Sequence, residues 1–323
     1  MGFSFSVKGA FSLLALLFLT SLNLCSATRK LAALVNPQPT VLSYHNGPLL
    51  IGNLSMNIVW YGKFSLVQRS ILLDFLHSLD TTPTPYLKTS PKPSISSWWK
   101  TLQSYQTLIP KKPHKISRNA QNPIAVKVQK QTLHESYSLG RFLTRAQISG
   151  LAEKASRHGA MVIVITAEDV AVEGFCMSSC AHHGSTRTSK VVYVWIGNSV
   201  SQCPGQCAWP FHQPVYGPQS PPLVAPNGDV GADGMVISLA SVLAATVTNP
   251  YGTGFFQGPA SAPLEAVSAC PGAYGSGAYP GYAGKVLVDP TTGGSYNAHG
   301  VNGRKFLLPA LWDPLTSACS TLV

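Results

Sequence analysis

The chain has 323 residues, of which 11% are charged, and its mean hydropathy is +0.13. Disordered chains combine low hydrophobicity with high charge, so this composition excludes them and predicts a folded protein with a sizeable core. The 28 glycines and 25 prolines predict many loops. The net charge of +11 would suggest a nucleic-acid partner only if the protein stayed inside the cell.

The first 27 residues have the pattern of a secretory signal peptide. Lys8 precedes an apolar run from Ala10 to about Leu22, and small residues at positions 25–27 offer a cleavage site. A membrane anchor is the alternative, but a span needs about 20 apolar residues and this run is shorter. We therefore expect a secreted protein. Residues 28–323 would form one domain, beginning with an extended segment over residues 28–47.

Cleavage would leave six cysteines in an oxidising compartment, and this even number predicts three disulfide bonds. The six are Cys176, Cys180, Cys203, Cys207, Cys270 and Cys319. We expect Cys270 to pair with Cys319, while the pairing of the other four stays open. A zinc site on those four is the alternative, and it is disfavoured because zinc knuckles usually use tighter C-x2-C spacing.

Positive charge is concentrated between Lys88 and Lys130. Cleavage would remove Lys8, so the mature chain would keep 22 basic and 12 acidic residues, a net charge of +10. A secreted protein of this charge meets acidic polysaccharide rather than nucleic acid, so we expect no nucleic-acid partner. A solvated face with no partner is the alternative.

The segment before residue 110 predicts one strand and two helices. "SMNIVWYGKF" is rich in strand-favouring residues, and Ser65 followed three residues later by Gln68 has the form of a capping box. A second helix in "PSISSWWKTLQSY" would be capped by Ser94 or Ser96. Its two tryptophans, Trp98 and Trp99, are expected to pack in the core rather than to form a sugar platform.

The middle of the chain predicts one further helix and two buried strands. Thr144 and Gln147 form another capping box, and the helix should run to about Arg157, with Gly159 as its stop. "MVIVITAEDV" and "VVYVWIGN" read as buried strands. The predicted fold is therefore mixed α/β, a mixed sheet covered by helices. The part after Gln202 is a long, loop-rich half held by disulfide bonds.

The segment "ADGMVISLASVLAATVTNP" has three possible interpretations: a membrane span, a catalytic helix or a core helix. Asp233 can cap it, and apolar or small residues then surround every face, as in a buried helix. The uncharged run is about 15 residues long and lacks basic anchors at its ends, which argues against a span. We expect a core helix.

Three catalytic patterns are missing from the sequence. The uncharged helix offers no pair of histidines four residues apart, so it cannot bind zinc as an HExxH helix does. No G-x-S-x-G elbow or Gly-rich phosphate loop is present either. The sequence therefore favours a protein that is not an enzyme, without settling the question, and we expect no cofactor. The fold is also compatible with a zinc-hydrolase-like scaffold that has lost its ligands.

A few polar side chains remain as weaker site candidates. His182 and His183, placed here in a loop, and His212 are weak metal candidates, because adjacent histidines alone rarely make a site. Glu168 and Asp169 follow a predicted strand and could form a carboxylate pair, but a helix or loop cap is the preferred explanation.

Several long motifs together resemble the plant EXORDIUM / phosphate-induced protein 1 family. They include "YHNGPLL", "EGFCMSSCAHHGS", "PNGDVGADGMVISLA", "TNPYGTGFFQG" and "GVNGRKFLLPALWDP", and they cover nearly the whole mature chain. The resemblance implies a secreted protein of the apoplast and cell wall. It also implies a link to growth, brassinosteroid response and carbon or phosphate status. It supplies no established biochemical activity that could be transferred to this chain.

The sequence therefore leaves two alternative hypotheses for the function. The first is a non-enzymatic extracellular protein that binds acidic cell-wall polysaccharide or a receptor ectodomain through its C-terminal half. The alternative is a metal-dependent or degenerate hydrolase acting on a wall polymer or an extracellular peptide. The one N-x-S/T sequon, at Asn53, predicts a glycoprotein if it lies in a turn.

Overall fold

The computed structural model describes residues 39–80, 91–110, 123–156, 160–177 and 179–323. The predicted signal peptide, residues 28–38 of the extended segment and much of the basic stretch lie outside the described residues. The same holds for Arg157 and Gly159, the expected end of the third helix. Residues from Val41 to Val323 form one compact unit.

Strands and helices alternate through the first two thirds of this unit, and short strands fill the last third. The strands are β1 (Ser43–Tyr44), β2 (Asn53–Tyr61), β3 (Ala125–His134), β4 (Phe142–Leu143), β5 (Met161–Thr166), β6 (Ala171–Val172), β7 (Ala181–Ser185), β8 (Val192–Gly197), β9 (Phe255–Phe256), β10 (Leu287–Val288), β11 (Ser295–Tyr296), β12 (Ala298–His299), β13 (Lys305–Phe306), β14 (Leu311–Asp313) and β15 (Ala318–Ser320). The helices are α1 (Leu66–Ser78), α2 (Ile95–Lys100), α3 (Ser104–Thr107), α4 (Arg145–Ala155), α5 (Pro204–Cys207) and α6 (Val230–Thr248).

A five-stranded mixed sheet organises the fold, with the strand order β3-β2-β5-β8-β7. The first four strands are parallel, and β7 pairs antiparallel with β8. Strands β3 and β7 are therefore the two edges of the sheet. This confirms the predicted mixed α/β class.

The pleat of the sheet divides the apolar residues between two cores. Along β2, Ile58 and Trp60 pack on the face covered by α1 and α6, while Val59 and Tyr61 face α4. Strands β5 and β8 alternate in the same way, and this fits strands that are buried on both faces. The molecule thus has three layers, with helices on both sides of the sheet.

The capping boxes begin the helices where the sequence predicted. Ser65 caps α1, Thr144 caps α4, and Ser94 rather than Ser96 caps α2. Both tryptophans of α2 are buried, and their indole N–H groups donate to backbone carbonyls, which confirms their packing role.

The uncharged segment forms α6, a helix of 19 residues that is buried on nearly every side. By length and composition it could cross a membrane, but 89% of its most apolar window is buried inside the protein. It is the predicted core helix. The predicted cap was wrong, because the helix begins earlier and Asp229 caps it by accepting from the Ala232 N–H. Asp233 is buried instead and accepts two hydrogen bonds from Asn227.

Two strands of the sheet were not predicted. The end of the basic stretch forms edge strand β3, where Val126 and Val128 alternate with Lys127 and Gln129. This period of two was hidden by the polar residues that an edge strand exposes. The other is β7, whose sequence AHHGS contains no residue with high strand propensity and is held by pairing with β8.

Three disulfide bonds hold the loop-rich part. Cys270 is bonded to Cys319, the expected pair. The four cysteines whose pairing the sequence left open form Cys176–Cys203 and Cys180–Cys207. Because Cys203 and Cys207 lie one turn apart at α5, the two bonds clamp this short helix to the segment that leads into β7.

Gly254 packs against the end of α6 with no space for a side chain. A Cβ at this position would overlap the Thr248 carbonyl oxygen and lie 2.8 Å from the Asn249 Cα. We predict that Gly254→Ala lowers the free energy of unfolding by about 1–3 kcal/mol, through overpacking. Gly150→Ala is the matched control, since α4 leaves that position open, and it should be neutral or stabilising by up to about 1 kcal/mol. Denaturant unfolding checks both variants. Equal effects of the two substitutions on the free energy of unfolding would contradict the close packing of Gly254 against α6.

Candidate functional site

A cleft with a volume of about 970 Å³ lies along the free edge of β7. All five residues of β7 line it, together with one side of α6, the Cys180–Cys207 bond and the loops at residues 249–252 and 260–268. A volume of this size is typical of ligand-binding sites. The cleft therefore brings one edge of the sheet, the core helix and the disulfide-bonded loops into one site.

The two adjacent histidines lie on a strand and not in the loop expected from the sequence. His182 pairs with Trp195 of β8 and His183 pairs with Val194. Since these partners belong to opposite faces of the sheet, the two imidazoles point to opposite faces as well. His182 faces the α4 layer, His183 faces the α6 layer, and they cannot share one metal ion.

Glu265 is the centre of the hydrogen-bond network on the α6 side of the cleft. Its carboxylate is buried, and each oxygen lies 3.1 Å from His183 Nε2. Asn249 Nδ2 donates to Glu265 Oε1 at 2.8 Å, and Asn249 Oδ1 accepts from the Gly254 N–H at 2.7 Å. The carboxylate thus connects β7, the end of α6 and the loop at residues 260–268. The second ring nitrogen of His183, Nδ1, is buried and bonds no described residue.

His182 lies against the aromatic side of the sheet. Its ring is 5.2 Å from Trp195 and 5.8 Å from Tyr193, measured between ring centroids, and neither of its nitrogens bonds a described residue. Burial lowers the pKa of His182 to about 4, and the nearby Arg145 and His183 add to this effect. His182 is therefore neutral at physiological pH and behaves as a packing residue.

Aromatic side chains border the cleft near the C-terminal loops. Tyr251 is 41% exposed and follows α6, whereas Trp209 and Tyr274 pack against each other with ring centroids 5.6 Å apart. Such rings offer large contact area and polar groups to a ligand. Tyr251 is the one of the three that is best placed to be contacted from solvent.

The remaining site candidates lie outside this cleft. His212 is exposed, and its Nδ1 is 3.0 Å from the neighbouring Gln213 carbonyl. Asp169 accepts from the Tyr137 hydroxyl and pairs with Arg141 at 3.3 Å, as expected for a loop contact rather than a catalytic carboxylate pair with Glu168. Among the described residues, no three His, Cys, Asp or Glu side chains are grouped so as to hold a metal ion.

A second cavity, of about 610 Å³, lies near the N-terminus of α6 and is lined by two ion pairs. Arg304 pairs with Asp74 at 2.6 Å, and Lys305 pairs with Asp289 at 2.8 Å. The charged groups of this cavity are paired with one another. It therefore offers a ligand fewer free charged groups than the cleft at β7 does.

Comparison with known proteins gives the family. The profile described as "Phosphate-induced protein 1 conserved region" matches residues 42–322. The chain belongs to this phosphate-induced protein 1, or EXORDIUM, family. It is 55% identical to Protein PHOSPHATE-INDUCED 1 of Nicotiana tabacum, covering 97% of this chain and 98% of the relative. It is 56% identical to Protein EXORDIUM of Arabidopsis thaliana, covering 95% and 97%. No solved structure matches it.

The residues that build the site were mostly missed at the sequence level. Glu265, Asn249 and Arg145 lie in three different segments that only the fold brings to the cleft. Glu265 had one signal, since it is an isolated acidic residue in the small, apolar stretch "SAPLEAVSAC", close to a cysteine. Because the chain has only 12 acidic residues, this isolated position could have been named as a candidate site residue.

Replacing His182 should change how stability depends on pH. Its pKa is lowered on folding, so the unfolded chain binds a proton between about pH 6.5 and pH 4 while the folded chain does not. The free energy of unfolding therefore falls on acidification in this window, by at most about 1.4 kcal/mol per pH unit. We predict that His182→Phe flattens this slope, because the replacement removes the buried imidazole that stays unprotonated in the folded chain. Denaturant unfolding at several pH values checks this, and a wild-type slope in His182→Phe would contradict it.

Proposed function

We propose that the protein is secreted into the apoplast and cell wall and promotes growth by binding an extracellular ligand rather than by catalysis. The link to brassinosteroid and to carbon or phosphate status rests on its family. Secretion is supported by the sequence of residues 1–27 and by three disulfide bonds, which form and persist in oxidising compartments. Asn53 lies at the exposed start of β2 and not in a turn, and it is the proposed glycosylation site because its side chain is exposed.

The cleft at β7 is the observation that carries the binding function. The Cys180–Cys207 disulfide bond lines it, the Glu265 network holds together the elements on its α6 side, and Tyr251 is exposed at its border. A site that is ordered before binding loses less conformational entropy when the ligand binds. This arrangement favours recognition by a preformed cleft.

The basic edge of the sheet supports retention in an acidic wall. Lys127 and Lys130 are both exposed on edge strand β3, on the opposite edge of the sheet from the cleft. We propose that this edge contacts acidic wall polysaccharide and leaves the cleft free for its ligand. Attraction of this kind between exposed charges is weakened by salt.

We predict that Lys127→Ala/Lys130→Ala elutes from immobilised polygalacturonate at a lower salt concentration than the wild type. Two positive charges are lost from the edge that makes the contact, so fewer ionic contacts hold the protein. Lys154→Ala/Lys190→Ala removes the same charge from exposed positions elsewhere and should elute close to the wild type. Identical elution of the two double variants would show that net charge, and not β3, controls retention.

We predict that Tyr251→Ala lowers the potency of the purified protein in a seedling growth assay by at least about tenfold, as expected when an aromatic residue that contacts the ligand is truncated. Tyr216→Ala is the matched control, since Tyr216 is 88% exposed and lies outside the cleft. Dose–response curves of growth for wild type and both variants give the measurement. Full potency of Tyr251→Ala would contradict a role of the cleft in function.

Hydrolysis is a second candidate function, and the His183–Glu265 pair is the observation that favours it. A buried carboxylate that orients an imidazole, whose other ring nitrogen bonds no described residue, is the arrangement of a general base. Incubation of wall polymers and extracellular peptides with wild type and His183→Ala separates the two functions. Product release by the wild type alone would establish hydrolysis, and release by neither would support binding.

A further inference from the structure

The edge strand β7 has a free side that faces the cleft. Its only partner in the described sheet is β8, and yet each of its five residues, from Ala181 to Ser185, lines the cleft. A strand with an unpaired edge presents a row of N–H and C=O groups that another extended chain can pair with. The cleft therefore contains a backbone surface as well as side chains.

The register of the β7–β8 pair shows which backbone groups are free. Thr186 N–H donates to the Val191 carbonyl at 2.9 Å, so these two residues form a hydrogen-bonded pair. Such pairs alternate along an antiparallel ladder, which assigns Gly184 and His182 to the bonds with β8. The N–H and C=O groups of the alternate residues point away from β8. These residues are Ala181, His183 and Ser185, and no described residue outside the sheet bonds to their backbone.

The two edges of the sheet differ in how they are protected against pairing. Edge strand β3 carries Lys127 and Lys130 and has a register shift opposite Met56 and Asn57, both of which discourage a further strand. Strand β7 carries no lysine, no proline and no register shift. Only the edge that lies in the cleft is therefore open to a further strand.

Arg145 and Glu265 give this edge opposite charges on its two faces. Among the described residues that line the cleft, Arg145 is the one arginine or lysine and Glu265 the one carboxylate. Glu265 is already paired with His183 and Asn249, whereas Arg145 forms an ion pair with no described residue. On the α6 side, the lining residues Ser241 and Ala245 are small. Because successive side chains of a strand point to opposite faces, an incoming strand meets Arg145 and α6 at neighbouring positions.

We propose that the cleft binds an extended peptide segment of a partner protein, which adds to β7 as a sixth strand of the sheet. The segment carries an acidic side chain facing Arg145 and, at the next position, a small side chain facing α6. This proposal rests on the proposed binding function and names its ligand class. A polysaccharide lacks the regular N–H and C=O groups that would match Ala181, His183 and Ser185.

The test uses the full secreted protein with its disulfide bonds and a displayed library of peptides about 12 residues long, a length sufficient for strand addition. The best peptide is synthesised, and amide hydrogen exchange is measured with and without it. We expect exchange of Ala181, His183 and Ser185 to slow by at least about tenfold, with His182 and Gly184 unchanged because they already bond to β8. Slowing without this alternation would overturn strand addition.

Backbone variants give a second measurement. Ser185→Pro removes a free N–H without removing a bond to β8, while Ser185→Ala keeps the N–H and is the matched control. We expect Ser185→Pro to weaken peptide binding by at least about tenfold and Ser185→Ala, which keeps the N–H, to weaken it much less. If Ser185→Pro fails to fold, N-methylation of alternate amides in the peptide tests the same hydrogen bonds on the wild-type protein.

The outcomes separate this proposal from the proposed function. Selection of no peptide, together with binding of oligogalacturonides in the cleft, would overturn the peptide ligand while the cleft remains a binding site. Loss of affinity equal in Ser185→Pro and Ser185→Ala would also overturn strand addition. Full growth activity of Tyr251→Ala would instead overturn the use of the cleft itself.

Discussion

The whole structure depends on the burial of α6, a helix with no polar face. Its residues pack against the sheet at β7 and β8, against α1, and against the clamped helix α5. Much of its remaining surface is covered by the C-terminal part, which supplies Phe255, Val267 and Leu308 to the same core, while one side of the helix lines the cleft. Burial of this apolar surface stabilises the fold, so the chain covers the helix on nearly every side.

That requirement explains the long, disulfide-bonded loops. The C-terminal part has only short two- and three-residue strands, which give it few ladder hydrogen bonds of its own. Disulfide bonds and buried side-chain contacts stabilise this part where ladder hydrogen bonds are few. Asn249, at the end of α6, shows the principle, since it bonds both the Glu265 carboxylate and the backbone of Gly254. The covering loops leave the free edge of β7 uncovered, and this gap is the cleft.

Features encoded by local sequence were predictable, and those created by tertiary contact were not. The capping boxes at Ser65 and Thr144 and the apolar runs of β5 and β8 give local signals that the fold retains. Strand β7 has no such signal, because it exists through pairing with β8. The candidate site was predictable only in part for the same reason. His183 could be named from the sequence, but its pairing with Glu265 could not, because Glu265 lies 82 positions away.

Hydroxyl-radical footprinting tests the central claim, that the cleft at β7 is where the protein recognises its ligand. The purified protein is oxidised alone and in the presence of a concentrated plant wall and apoplast extract, and side-chain oxidation is read by mass spectrometry. We expect the extract to protect Tyr251 and Trp209, which line the cleft, and to leave Tyr216 as reactive as before. Protection of Tyr216 with unchanged oxidation of Tyr251 and Trp209 would contradict it.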